Sequence, residues 1–253
     1  MMQLQYSSLE SNRFNMNIYR DGVLDSIDAS AISAALEETK ADVYMFRLPC
    51  ERISELNELS QVKYPYIVAD TLVYYTCPLI DFVPKQIRNK DLVFRIASED
   101  DYDLLGLMTE KIFEDYTNHY SSNIHLDLGD INEGYKEWVR SYVKPAGAEK
   151  NCILVERDGL AIAYATVSFD YEGLISEGIL YGVMPDFSGG GVYGDIVRHT
   201  QLQSINNGML KMRVSTQVQN YAVQKVWARE GFSITDSYLT VHINSLISKN
   251  SVT

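Results

Sequence analysis

Cysteine is scarce. Cys50, Cys77 and Cys152 are the only three in 253 residues, scattered and odd in number, with no CxxC pair and no Cys/His metal spacing. No disulfide framework and no metal site is therefore expected, and reduced thiols of this kind suit a cytoplasmic chain. Long apolar runs are also missing. No stretch of 18 apolar residues occurs, so no membrane span is expected. The opening Met1-Met2-Gln3-Leu4-Gln5-Tyr6 lacks the charged-then-apolar order of a signal peptide. Positive charge is in short supply: 22 Lys and Arg stand against 34 Asp and Glu, a net charge of −12. Nucleic-acid binders usually carry a basic field, so nucleic acid is not an expected partner. Any polyanionic ligand must be held by a local pocket.

What is present is an ordinary globular composition, 46% hydrophobic and 22% charged. The length allows one large domain or two of common size, with a real core. Residues 1–83 alternate between strand-like and helix-like pieces. Phe14 to Arg20 alternates apolar and polar side chains, as a half-buried strand does. Asp28 to Lys40 has helical spacing of Ile32, Ala35 and Leu36, with Asp28 or Ser30 as cap. Asp42–Pro49 and Tyr66–Thr76 read as strands. This half has no glycine-rich turn and no catalytic cluster, which suits an accessory domain that packs or shapes a substrate site. Pro84 to Asp91 is short and polar, and reads as a linker to a second domain, 92–253.

The second domain opens with a strand, Leu92–Ile96, and a helix with an acidic start at Ser98-Glu99-Asp100-Asp101. A helix over Gly134–Val143 follows. Strands at Cys152–Val155 and Leu160–Phe169 are joined by Arg157-Asp158-Gly159, a hairpin signal. A third strand, Leu174–Val183, runs into Met184-Pro185-Asp186-Phe187-Ser188 and then Gly189-Gly190-Gly191, with an amphipathic run from Val192-Tyr193. Strand, glycine turn and helix start make a phosphate-binding arrangement. The first helical turn has unpaired N–H groups and the positive end of the dipole, and glycine lets a phosphate approach the main chain. A plain tight turn has the same appearance. Leu210–Val214, a helix over Asn220–Glu230 stopped by Gly231, and a strand region Ser233–Asn244 complete the chain. As an edge, Ser233–Asn244 could pair between subunits of a homodimer.

This order of elements resembles the GNAT acyltransferases. Their phosphate loop reads Arg/Gln-x-x-Gly-x-Gly/Ala. Here Asp186-Phe187-Ser188-Gly189-Gly190-Gly191 keeps the glycines and replaces the leading residue with Asp186. Their later helix reads Asn-x-x-Ala-x-x-x-Tyr-x-x-x-Gly-Phe. Asn220, Gly231 and Phe232 match, while Val223 and Trp227 depart. The resemblance covers roughly 92–244. It implies a mixed, mostly antiparallel sheet with flanking helices, an α/β (α+β) fold preceded by a smaller α/β domain. It also implies acetyl-CoA as acyl donor, with no metal. Gly182, Val183, Phe187, Ser188, Gly189, Gly190, Gly191, Val192, Tyr193, Asn220 and Trp227 would line its site. The strand ending at Val183 would splay from the strand at Arg213-Val214, with pantetheine in the gap and an N–H near Val183 polarising the thioester carbonyl.

Over nearly the whole chain, a narrower resemblance is to TDP-fucosamine acetyltransferases, which acetylate a nucleotide-linked 4-amino-4,6-dideoxy sugar. It implies an amino-sugar acceptor, with Tyr116, Asn118, His119 and Tyr120 on the acceptor side. An amino acid, polyamine or peptide amine is the alternative acceptor. Glu177 is the candidate base, on one strand face with Ile179, Tyr181 and Val183. The family's proton-donating tyrosine falls at Trp227, whose indole N–H is no usable acid. Tyr181 and Tyr221 are the remaining candidate phenols, and both also suit a packing role. Trp227 and Asp186 together leave open a CoA-binding regulatory protein without turnover.

Overall fold

The structure is a computed structural model that describes residues 2–126, 128–143 and 149–246. Its local starts and stops follow side-chain chemistry. Helix α1 (Ser8–Phe14) ends at Asn15, which takes the left-handed conformation at φ 49°. Phe14 therefore closes a helix, and strand β1 (Ile18–Val23) begins only after it. The alternation expected from Phe14 onward ran across that boundary. Helix α2 (Ala29–Thr39) is capped by Asp28, whose carboxylate accepts the Ala31 N–H at 2.9 Å. Strand β2 (Val43–Pro49) ends at its proline, and a 3-10 turn (Cys50–Glu55) leads into the short α3 (Leu56–Leu59). Strand β3 (Tyr66–Pro78) follows.

Beyond the linker come β4 (Leu92–Ile96), α4 (Tyr102–Ile112) and α5 (Leu128–Arg140). Ser98 and Asp101 form a reciprocal capping box ahead of α4. Arg95 clamps Asp101 at 2.7 Å and holds its carboxyl down to about 2. Strands β5 (Lys150–Arg157) and β6 (Leu160–Asp170) meet in a two-residue hairpin. Asp158 and Gly159 both take positive φ there, as a type I′ turn requires. Then come β7 (Ile175–Val183), α6 (Val192–Asn206), β8 (Lys211–Gln217), α7 (Tyr221–Arg229) and β9 (Ser233–Asn244). Among the described residues no helix is long and apolar enough to cross a membrane.

The chain folds as two compact units, and they are interleaved along the sequence. One comprises Met1–Leu72, Thr117–Asp130 and Asp236–Thr253; the other comprises Val73–Tyr116 and Ile131–Thr235. The linker 84–91 thus lies inside the second unit, and 117–130 and 236–253 join the first.

In the first unit the strand order is β1-β2-β9-β3. Strands β1 and β2 are parallel; β2 and β9 are antiparallel, from Val43 opposite Asn244 to Pro49 opposite Tyr238. Strand β9 has a neighbour on each side, so it is not the free edge expected for subunit pairing. Ile32 and Leu36 of α2 pack on Tyr44, Phe46 and Leu48 of β2 and on Val241 and Ile243 of β9.

In the second unit the order is β3-β8-β7-β6-β5-β4. Strands β4 through β7 are antiparallel neighbours, and β7 and β8 are parallel. The central strands alternate between two covered faces. Leu154, Tyr164 and Leu180 meet Leu105 and Met108 of α4 and Val139 of α5. Ile153 and Val167 meet Val197 of α6 and Trp227 of α7, and Val155 and Ala165 meet Val192 and Ile196 of α6. The result is the mixed, mostly antiparallel sheet with flanking helices that the resemblance implied.

Candidate functional site

Two parallel strands in the second unit part company. Strand β7 pairs with β8 from Ile175 opposite Lys211 to Gly178 opposite Val214, and there the pairing stops. Strand β7 runs on to Val183 and β8 to Gln217. Their facing edges beyond Gly178 and Val214 form an open fork. On the other side of β7, Ala165 opposes Tyr181 and Val167 opposes Gly178. Strand β7 thus carries one residue more than β6 over this stretch, a bulge that twists the strand. Thr166 fills the gap: its hydroxyl accepts the Leu180 N–H at 2.9 Å.

The bulge breaks the alternation on which Glu177 was grouped with Ile179, Tyr181 and Val183. Ile179 packs with Leu180 toward α4 and α5, whereas Tyr181 and Val183 pack toward α6. Glu177 stands just before the fork, opposite Ser168 on β6 and Arg213 on β8. Its charge is felt by Tyr142, whose phenol is pushed up by burial first and by Glu177 last.

At the end of β7, Pro185–Phe187 forms a 3-10 turn that leads to the glycines. Gly189 and Gly191 have φ of 80° and 85°, conformations that L side chains rarely adopt. A Cβ on Gly190 would meet nothing nearer than the Phe187 carbonyl at 3.9 Å. The N–H groups of Phe187 and Ser188 are committed to Met184 and Pro185 carbonyls. Among the described residues the N–H groups from Gly189 to Gly194 have no acceptor; the next, Asp195, bonds to the Gly191 carbonyl at 3.1 Å. The free donors therefore run 189–194 and exclude the Phe187 and Ser188 N–H groups. They lie at the positive end of α6, a fifteen-residue helix. An open glycine turn with unfilled donors fits a phosphate group, and a fork with two unpaired strand edges fits an extended amide-bearing arm.

Tyr116 and Gln217 meet in the fork's unit. The Tyr116 hydroxyl donates to the Gln217 side-chain carbonyl at the open end of β8. Tyr181 is held differently. Its hydroxyl donates to Thr200 on α6 at 2.8 Å, and burial pushes its phenol up. Tyr193, beside it at 6.0 Å between ring centres, is pushed well up by burial and by Tyr181. Neither phenol is placed to yield a proton readily. Asn220 precedes α7, but its side chain makes no capping bond; its amide donates to Thr216 at 3.0 Å, on the unpaired part of β8. Tyr221 is 65% exposed. Trp227 is 3% exposed and packs on Tyr75 at 5.6 Å, so it is a core residue and not a lining one. Gly182 is a contact glycine: a Cβ there would meet Ile112 of α4 at 2.7 Å.

The residues expected beside Tyr116 belong to the first unit. Asn118 folds its own loop, accepting the Tyr120 N–H at 2.9 Å. His119 meets His242 of β9 at 2.9 Å, and Tyr120 donates to Glu10 at 2.9 Å. Gln217, Arg88, Asn89 and Asp195 were not singled out in the sequence. For Arg88 and Asn89 the one signal was the basic and amide composition of 84–91; Asp195 and Gln217 had none.

No protein-family model matches the sequence, and no curated protein sequence does. Solved structures do match in shape. A functionally unknown conserved protein from Staphylococcus epidermidis has a TM-score of 0.64 at 10% identity, over 96% of this chain and 92% of that one. A GCN5-related N-acetyltransferase from Kribbella flavida has a TM-score of 0.60 at 13% identity, over 89% and 81%. One from Sphaerobacter thermophilus has 0.59 at 12%, over 79% of this chain and 59% of that one. The chain has the GNAT fold. Within that fold, the splayed strand pair and the glycine turn are the features that can hold a cofactor.

Proposed function

We propose that the protein is a coenzyme-A-dependent N-acyltransferase acting on a small primary amine. The observation that carries this is the fork: β7 and β8 stop pairing at Gly178 and Val214 while both strands continue, and β7 leads into a turn of free N–H groups. The donors at 189–194 would hold the pyrophosphate of acetyl-CoA, and the unpaired edge of β7 would hold the amide-bearing arm. Acetyl-CoA, when bound, supplies an activated thioester. An N–H of the β7 edge near Val183 would steady the charge that develops on the carbonyl oxygen. Fixing donor and amine together supplies much of the rate. Glu177 would take the proton of the attacking amine, directly or through water. Trp227 is buried and has no usable acid; Tyr116, whose hydroxyl donates to Gln217 at the open end of β8, would have to turn from that acceptor to give its proton to the leaving thiolate.

The narrower resemblance in the sequence makes nucleotide-linked 4-amino sugars the first acceptors to try, ahead of amino acids, polyamines and peptide amines. One observation favours a second reading. Trp227 fills the core where the resembling family has its proton-donating tyrosine, which suits a protein that binds coenzyme A without turnover.

The test is thiol release from acetyl-CoA across those acceptors, with binding followed by calorimetry. Thiol release that depends on one amine supports the enzyme. Micromolar binding with no release over the whole panel supports the second reading. A folded protein that binds no coenzyme A contradicts both.

A further inference from the structure

Asp195, in the first turn of α6, is wholly buried. Its partners explain how a carboxylate is kept there. Oδ1 accepts the Arg88 N–H at 2.7 Å and Arg198 Nη1 at 2.8 Å; Oδ2 accepts the Asn89 N–H at 2.9 Å and Asn89 Nδ2 at 2.7 Å. Burial pushes its pKa up, and these bonds more than offset that, leaving it below the ordinary value. Asn89 Nδ2 also donates to the Gly190 carbonyl at 3.2 Å. Residues 88 and 89 are thus fastened to the glycine turn by a buried anion, and they are not a free connector.

This anchoring delivers the Arg88 side chain to the turn. Its Cδ and Nη1 lie 3.8 and 3.9 Å from where a Cβ of Gly191 would stand. Arg88 is exposed, and among the described residues its guanidinium makes no hydrogen bond or ion pair. The neighbouring Arg198 is engaged by Asp195 and by Glu230 at 2.7 Å. The turn itself offers no cation: Asp186, exposed, stands at its head.

We infer that Arg88 supplies the cation the turn lacks, and that it binds the pyrophosphate of coenzyme A from the segment ahead of β4. The inference rests on the coenzyme A reading above. A guanidinium matches phosphate oxygens with two parallel N–H bonds, which an ammonium cannot do. Its backbone is fixed before the ligand arrives, so little ordering is lost on binding. In a chain of net charge −12, one local cation also offsets the repulsion that a polyphosphate meets.

The experiment titrates coenzyme A and dephospho-coenzyme A, which keeps the pyrophosphate and lacks the 3′-phosphate, into four proteins. These are the wild type, Arg88→Gln, Arg88→Lys and the double variant Arg88→Gln/Asp186→Arg. Loss of a charged hydrogen bond weakens binding by about tenfold or more. Arg88→Gln should lose that much for both ligands with an unchanged melting temperature. Arg88→Lys should recover part of the loss, and Asp186→Arg should restore affinity from the other side of the turn. Equal affinity in wild type and Arg88→Gln overturns the assignment. A loss seen with coenzyme A and absent with dephospho-coenzyme A also overturns it, by moving Arg88 to the 3′-phosphate. A wild type that binds neither ligand overturns the coenzyme A reading itself, and the Arg88 assignment with it.

Discussion

Acid should loosen the first unit through one pair of histidines. His242 on β9 is wholly buried, with Nε2 at 2.9 Å from His119 Nδ1 and Nδ1 at 3.2 Å from Asn123 Nδ2. Asn123 Oδ1 accepts the His125 N–H and Nδ2 donates to Asn244 Oδ1 at 2.8 Å, which turns Nδ2 toward His242. His242 Nδ1 must then accept, so its proton sits on Nε2 and is donated to His119. The arrangement uses two neutral rings, and a proton added to either sets N–H against N–H. The surrounding charges point the same way: Arg20 on β1 lowers both rings and Arg47 on β2 lowers His119, while Glu10 is engaged by Arg20. Burial first, then Arg20, pushes His242 down to about 3; burial first, then His242, holds His119 well below the usual imidazole range. Between about pH 6.5 and 3 the unfolded chain therefore binds more protons than the folded one. This stabilisation is complete above pH 6.5 and falls as the pH drops. His242 costs up to about 1.4 kcal/mol per pH unit in that window, so it removes roughly 2 kcal/mol between pH 6.5 and 4.5, the slope being only half developed at pH 6.5. Urea unfolding at pH 5.0, 5.5 and 6.0 measures the slope, above the range where carboxylates such as Asp101 titrate. His242→Gln should lower the slope by about one ring's worth, whatever it does to the absolute stability. An unchanged slope in that variant would refute the neutral-pair reasoning.

Gly190→Glu should leave stability within about 0.5 kcal/mol, because the Cβ enters open space. It should weaken acetyl-CoA binding roughly a hundredfold, from a carboxylate about 5 Å from a phosphate at an effective dielectric of about 20; calorimetry beside a melting curve separates the two effects. Gly231→Ala should destabilise by about 1–3 kcal/mol. Gly231 has φ of 90° and its Cβ would meet Phe82 at 2.7 Å, so a melting temperature equal to wild type would contradict the packing described.

The parts of the fold legible in the sequence were those fixed by local chemistry. Asp28 capped its helix, Asp158-Gly159 made its hairpin, and Leu92–Ile96 and Ser233–Asn244 were strands at the bounds read. Misreadings came where a pattern outlived its cause. The alternation through Phe14 crossed a helix end, and the alternation from Glu177 to Val183 crossed a bulge that Thr166 completes. The glycine turn was legible because glycine marks the conformation it permits, but which of its N–H groups were free depended on the 3-10 turn at Pro185–Phe187. Contacts between residues about a hundred apart left no local trace. Asp195 holding Arg88 and Asn89, Tyr116 meeting Gln217, and His119 meeting His242 are all of that kind. Asn118, His119 and Tyr120, which the resemblance puts on the acceptor side, take part in a polar network within the first unit.

The central claim is that the free donors after β7 hold a pyrophosphate, and amide hydrogen exchange of residues 189–194 with and without saturating acetyl-CoA tests it most directly. Without ligand these amides have no acceptor among the described residues and should exchange quickly. With ligand they should slow by about tenfold or more, while amides of the α2 core stay as they were. Bound acetyl-CoA that leaves the exchange of 189–194 unchanged would contradict the account.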